Sequence, residues 1–332
     1  MSAKTITVLT IVLCLVSFRS IFGQESTPSP YLPEYPITVE SCGEPVTFAQ
    51  APSRAISFDT NMTEIMLALG LEDSMVGYWI SGVPVKVDYQ EQIANVPLIS
   101  DVTWPPPGME TIVSYSPDFV FGAWNYNFSE EWGVTPEALA EFGVTSYVLS
   151  ESCITVGVQP DPSLERTYQD ILNIGLIFGV EDRAQTIVSE MRANIQDIQD
   201  HLRDVQTPLR AMYYGGGSDA AFSAGRYAMP TLLLSTAGAI NILGDIEDDW
   251  IPEASWETII SLDPEVILID DTPWESAEAR IATLKSLPQL ADVTAVREER
   301  FVVVPWTYVL PGIDMDEAIA FLAHEFHPER FE

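Results

Sequence analysis

Residues 163–205 read "SLERTYQDILNIGLIFGV" followed by "EDRAQTIVSEMRANIQDIQDHLRDV". Both pieces place apolar residues at helical spacing, and neither contains a run that reads as a strand. A break falls near Gly179, a residue suited to ending a helix. What lies on either side has a different grammar, in which short apolar runs alternate with helical segments.

Upstream, "RAISF" (54–58), "SMVGYW" (74–79), "VPLIS" (96–100), "DFVFGAW" (118–124) and "SYVL" (146–149) read as strands. Between them "NMTEIMLALGL" (61–71), "METIVSYS" (109–116) and "PEALAEFG" (136–143) read as helices. Asn61 with Glu64 resembles a capping box, and Gly70 suits the helix end. Downstream the alternation restarts with the strands "LRAMYY", "EVILID" and "FVVVP". They alternate with the helices "MPTLLLSTAGA", "WETIISL", "SAEARIATLKSL" and "DMDEAIAFLAHEFH". Alternation of this kind makes parallel sheets covered on both faces. The expected fold is therefore α/β, with two Rossmann-like lobes of parallel sheet joined by a single long interdomain helix. The expected boundaries are 37–162 for the first lobe, 163–205 for the linking helix region and 206–332 for the second lobe.

One phrase occurs twice. "GMETIVSYSPDFVF" (108–121) and "SWETIISLDPEVIL" (255–268) each set a glutamate before Thr-Ile, then a proline, an acid and an apolar run. The phrase falls at the same place in each half, the helix before a parallel strand. A carboxylate at a helix start is favoured by the helix dipole. That alone accounts for Glu110 and Glu257 as local stabilisers; the alternative is a matched acidic contact on each lobe.

At 332 residues with 47% hydrophobic content, the chain can form two domains with real cores. Fifteen basic residues stand against 49 acidic ones, a net charge of −34. Such a surface repels nucleic acid and anionic lipid. The start reads as an export signal, residues 1–23, with Lys4, the apolar stretch 6–18, Arg19 and Gly23. An uncleaved anchor and lipidation at Cys14 are the alternatives, although the residues before Cys14 are bulky. A Pro/Ser-rich linker, 24–36, follows. An exported chain meets an oxidising compartment, so Cys42 and Cys153 are expected to form a disulfide, two free thiols being the alternative.

The stretches "TVESCGEPVTFAQAPSRAISFDTNMTEIMLALGLEDSMVG", "GMETIVSYSPDFVF", "STAGAINILGD" (235–245) and "SWETIISLDPEVIL" together resemble the class III substrate-binding proteins of ABC importers. These capture ferric siderophores, haem or cobalamin-type compounds outside the cytoplasm. The likeness spans residues 37–330. It implies an exported protein, periplasmic or at the cell surface. It also implies a monomer that takes a small-molecule metal chelate between its lobes and hands it to a permease dimer with its ATPase. By the same resemblance, Glu110 and Glu257 are the docking carboxylates of the two lobes, and no cofactor is required. Ligands of such proteins lie on loops that follow the strands. Aromatic residues recur there: Trp79, Trp104, Trp124, Tyr126, Tyr214, Trp250 and Trp306, with Tyr227 nearby. Arg226 is the one candidate cation of the cleft, which argues for a neutral, cationic or hydroxamate-type chelate, or a corrinoid. The segments 151–163 and 212–225 resemble instead a subset associated with import of a deazaflavin precursor.

Other classes fare worse. A bare-metal site needs several histidine and acidic ligands, and the three histidines are His201, His324 and His327, the last two within one turn. "GGGSD" (215–219) lacks the Gly-Lys-Ser/Thr ending of a P-loop, and no G-x-S-x-G elbow is present. An enzyme is not expected, and an adhesion or scaffold protein on the same fold is the remaining rival.

Overall fold

The structure, a computed structural model, describes residues 34–124, 127–158 and 163–332. The expected export signal lies outside the described residues, as does Tyr126.

The chain enters through an antiparallel hairpin, β1 (Ile37–Ser41) and β2 (Glu44–Phe48). Its two-residue turn, Cys42 at φ 49° and Gly43 at φ 82°, has both central residues in the left-handed region. Such turns match the twist of paired strands. The first parallel sheet follows. It contains β3 (Ala55–Phe58), β4 (Met75–Trp79), β5 (Phe119–Gly122) and β6 (Thr145–Val148), in the order β4-β3-β5-β6. β3 and β5 are buried at every position, as strands covered on both faces must be. Helices α1 (Thr60–Ala68), α2 (Gln90–Ile93), α3 (Met109–Ser114) and α4 (Pro136–Ala140) complete this lobe. Residues 96–100 do not form the expected strand. They make one bridge, Tyr78 to Leu98, through the Tyr78 amide to the Pro97 carbonyl and the Ile99 amide to the Tyr78 carbonyl. A Cβ at Gly77 would lie 2.3 Å from the Ile99 side chain, so the approach depends on glycine there.

The strand-free region holds α5 (Leu164–Phe178) and α6 (Glu181–Leu202), divided at Gly179 with φ 73°. α6 buries Ala184, Val188, Met191, Ile195, Ile198 and Leu202 along one stripe. A Cβ at Gly175 would sit 2.4 Å from that of Ala184, so glycine lets α5 and α6 close together. α5 is tied to the first lobe, where Asp170 accepts from Tyr147 Oη (2.8 Å) and the Ser150 amide (3.1 Å). α6 is the long helix that leads to the second lobe.

That lobe contains β7 (Leu209–Tyr213), β8 (Ala221–Ala224), α7 (Met229–Thr236), β9 (Ala239–Asn241), β10 (Trp250–Ala254), α8 (Trp256–Leu262) and β11 (Val266–Asp271). α9 (Ala277–Ser286), α10 (Thr294–Arg297), β12 (Phe301–Pro305) and α11 (Met315–Phe326) follow. Its parallel sheet runs β12-β11-β7-β9, while β8 and β10 pair separately and antiparallel. The two main sheets are distinct, as the sequence pattern requires. In order of appearance, the strands of each sheet lie in the spatial order second, first, third, fourth.

Cys42 and Cys153 are joined by a disulfide, so the free-thiol alternative is not realised. It fastens the entry hairpin to the segment after β6 across a separation of 111 residues. On a chain-entropy argument, a loop of that size stabilises by about 4–5 kcal/mol.

Candidate functional site

A cavity of about 350 Å³ opens where strands of both lobes end, lined by Asp59, Trp79, Ser81, Thr103, Trp104, Trp274 and Trp306. Asp59 follows β3, Trp79 closes β4, and Ser81 comes two residues later. Trp274 follows β11, and Trp306 follows β12 in a 3₁₀ turn. This is where loops at the carboxyl ends of parallel strands converge in open α/β sheets.

The tryptophans are held, not loose. Trp79 is fully buried, with its indole N–H donating to the Val102 carbonyl at 2.8 Å and its ring against Phe58. Trp104 is 58% exposed and packs edge-on against Trp132, centroids 4.9 Å apart. Trp274 is 56% exposed and meets Trp306 edge-on at 5.4 Å. Two exposed indoles, one on each lobe, each braced by a second indole, form apolar walls open to solvent.

Asp59 is the polar element of the cavity. It caps α1, accepting from the Thr60 amide at 2.8 Å, and also accepts from Ser81 Oγ at 3.0 Å. These bonds and a longer one from the Ser81 amide all fall on Oδ1; Oδ2 has no hydrogen-bond partner among the described residues. The side chain is buried, which pushes its carboxyl above the ordinary carboxylate range against the bonds from Thr60 and Ser81. Its backbone stands at φ 60°, ψ 165°, a region ordinarily left to glycine and costing on the order of 1–3 kcal/mol. Asp59, rather than Asn61, is thus the cap. Asn61 lies inside α1 and donates across to the Pro311 carbonyl at 2.8 Å, while Glu64 accepts from the Lys86 amide at 2.7 Å.

A second contact between the halves flanks α1. Lys86 Nζ reaches Asp314 Oδ1 at 2.8 Å and Glu317 Oε2 at 2.9 Å. Glu64 is buried beside this group, and burial raises its carboxyl to about 7, assisted by the charge of Asp314.

Of the expected ligand residues, the structure brings Trp79, Trp104 and Trp306 together at the cavity. Trp124 lines a separate recess beside the entry hairpin, with Cys42 and Val148. Tyr214 is fully buried, its hydroxyl donating to the Gly217 carbonyl at 2.7 Å. Trp250 stacks on Phe222 with centroids 5.5 Å apart. Arg226 lies over the Tyr227 ring and does not line the cavity. Sequence reasoning missed Trp274, Trp132 and Asp59. Trp274 and Asp59 each follow a strand, the same positional signal that picked out Trp306.

Glu110 and Glu257 are both exposed, and each is the second residue of its helix, α3 and α8. A helix leading into a parallel strand runs antiparallel to it, so its first turn lies at the edge where the strands end. Among the described residues no group of three or more His, Cys, Asp or Glu could hold a metal ion, and no helix is long and apolar enough to cross a membrane.

Comparison with known proteins agrees with this geometry. Residues 56–307 match the family model "Periplasmic binding protein". The chain is 22% identical over 303 residues to the uncharacterized ABC transporter substrate-binding lipoprotein YvrC of Bacillus subtilis, covering 90% of this chain and 88% of that protein. It is 23% identical over 261 residues to the vitamin B12-binding protein of Yersinia pestis, covering 76% and 81%. A periplasmic binding protein from Veillonella parvula has a similar structure, with TM-score 0.77, 28% identity, and coverage of 88% of this chain and 97% of that one.

Proposed function

Since the chain belongs to the periplasmic binding protein family, we propose that it is the extracytoplasmic substrate-binding component of an ABC importer. It captures a metal chelate of the ferric siderophore, haem or corrinoid type between its lobes, without chemical transformation. It acts as a monomer and delivers the ligand to a permease dimer with its ATPase. The observation that carries the reading is the cavity itself, in which tryptophans from both lobes face a common space. Flat, braced indoles suit a large conjugated or chelated ligand through stacking and apolar contact. Similarity to a vitamin B12-binding protein and to an ABC transporter substrate-binding lipoprotein supports the class. The ligand rests on Trp104, Trp274 and Trp306, with the buried Trp79 behind them.

Glu110 and Glu257 dock the two lobes onto arginines of the two permease subunits. Their exposure and their matching helix positions support this role. Charge-assisted Arg–carboxylate pairs orient such an encounter more than they tighten it.

Two measurements test the two parts. Intrinsic tryptophan fluorescence and melting temperature are followed during titration with ferric hydroxamates, ferric catecholates, haem, cobalamin, cobinamide and a deazaflavin precursor. Quenching and a raised melting temperature with a chelate or tetrapyrrole-type compound are expected. A response to none of the chelates and tetrapyrroles overturns the ligand class. The double variant Glu110→Ala/Glu257→Ala is expected to keep the titration and lose permease binding; normal permease binding overturns the docking role.

A further inference from the structure

The cavity contains one ionisable side chain among its lining residues, Asp59, and neither Lys, Arg nor His. Its surroundings otherwise consist of indoles, Ser81 and Thr103. Asp59 is 2% exposed, yet one carboxylate oxygen carries every hydrogen bond and the other carries none among the described residues. That second oxygen is not fully enclosed but opens on the cavity, on a side chain held at a strained backbone position. The start of α1 alone would favour an anion. Its cap, once ionised, sets a full negative charge against roughly half a positive charge from the helix dipole. Indole faces add to the same preference, because their quadrupole attracts cations.

We propose that Asp59 and the surrounding tryptophans select a ligand bearing a positively charged group, which docks at Asp59 Oδ2 between the indole faces. This rests on the ligand reading above and narrows it: within that class the protein takes a cationic chelate or corrinoid and rejects anionic ones. Burial of Asp59 opposes its ionisation, and a bound cation favours it, so ligand and carboxylate stabilise each other's charge. No other charge compensates Asp59 at the cavity wall.

The test compares two ferric complexes that differ in one charge: ferrioxamine B, which ends in an ammonium group, and its N-acetylated, neutral derivative. Wild type and Asp59→Asn are titrated with both. Asparagine retains the acceptor for the cap and is itself favoured at helix N-caps. The expected result is that wild type prefers the cationic complex by roughly ten- to a hundredfold, the range of a charged hydrogen bond. Asp59→Asn abolishes that preference by weakening the cationic complex far more than the neutral one. A purely structural role for Asp59 would change both affinities alike. Tetraethylammonium ion serves as a probe independent of chelate class, binding wild type and not Asp59→Asn. If both ferric complexes bind equally to wild type, or the preference survives in Asp59→Asn, the charge selection is overturned while the chelate reading stands. If only tetraethylammonium binds, and does so through Asp59, the charge selection stands and ferric hydroxamates fall as the ligand. If no probe binds, the charge selection falls and so do ferric hydroxamates as the ligand.

Discussion

The two lobes share a framework and differ in what they bring to the cavity. Each has four parallel strands in the same spatial order. Each repeats one clamp as well. In the first lobe Arg54 donates to the carbonyls of Ser116 (2.7 Å) and Tyr115 (2.6 Å) at the end of α3. In the second, Arg210 donates twice to the Asp263 carbonyl at the end of α8, at 3.1 and 3.0 Å. The acid after the repeated proline closes the clamp from the other side. Asp118 accepts from the Arg54 amide at 2.9 Å, and Glu265 from the Arg210 amide at 3.0 Å. Ser116 and Asp263, just before each proline, both have positive φ, 49° and 43°. The doubled phrase is therefore a structural instruction, a helix stopped and tied to the start of the first strand of its lobe's parallel sheet, with Glu110 or Glu257 left exposed at the helix's other end. The cavity shows no such repetition. The first lobe supplies Asp59, Ser81 and Thr103 with two tryptophans; the second supplies only Trp274 and Trp306. The scaffold is shared between the lobes, and the polar lining residues lie on one side.

The largest effect expected from breaking this arrangement comes from the tie between the lobes at Lys86, Asp314 and Glu317, with Glu64 and Tyr89 against it. Glu64 holds its proton to about pH 7 in the fold, against an ordinary value of 4.5. Between those values the folded state binds a proton that the unfolded chain has released, so stability falls as pH rises through the window and levels off above it. The expected loss is on the order of 2–3 kcal/mol between pH 5 and 7.5. Glu64→Gln should remove most of that dependence. Urea melts of both proteins at the two pH values check it; an unchanged slope in Glu64→Gln would assign the dependence elsewhere, for example to Asp170, whose burial raises it to about 6.

A smaller effect sharpens the likeness of the lobes. Arg54→Ala and Arg210→Ala should each cost about 1 kcal/mol, since both side chains are exposed and bond to carbonyls at helix ends. Similar losses in urea melts mark the clamps as equivalent. A loss confined to one variant shows that only one clamp carries stability.

Particular residues show what was legible beforehand. β3, β5 and β11 are near-continuous apolar runs because both faces of each sheet are covered, and such runs announce themselves in sequence. The hairpin β1–β2 alternates polar with apolar residues around Cys-Gly, and strands of five residues are too short to stand out by period alone. The cap of α1 was misplaced because Asn61 and Glu64 have the spacing of a capping box, whereas the structure turns both toward other partners. Aromatic residues after strands were the right signal for the cavity but not a sufficient one. Tyr214 obeys it and is consumed by packing, Trp250 instead opens β10 and stacks on Phe222, while Trp274 obeys it and is exposed. Which of these faces solvent depends on neighbours far away in sequence, such as Phe222 for Trp250.

The central claim is that one ligand is held by both lobes at once. It is tested most directly by removing the second lobe's share alone, Trp274→Ala with Trp306→Ala, and measuring calorimetrically the affinity for whichever compound of the titration panel binds wild type. Loss of two stacking walls predicts an affinity lower by roughly a hundredfold, with a modest drop in melting temperature from Trp306, which packs against the core, and little from the largely exposed Trp274. An unchanged affinity in a folded double variant would place the ligand on one lobe only and contradict the account.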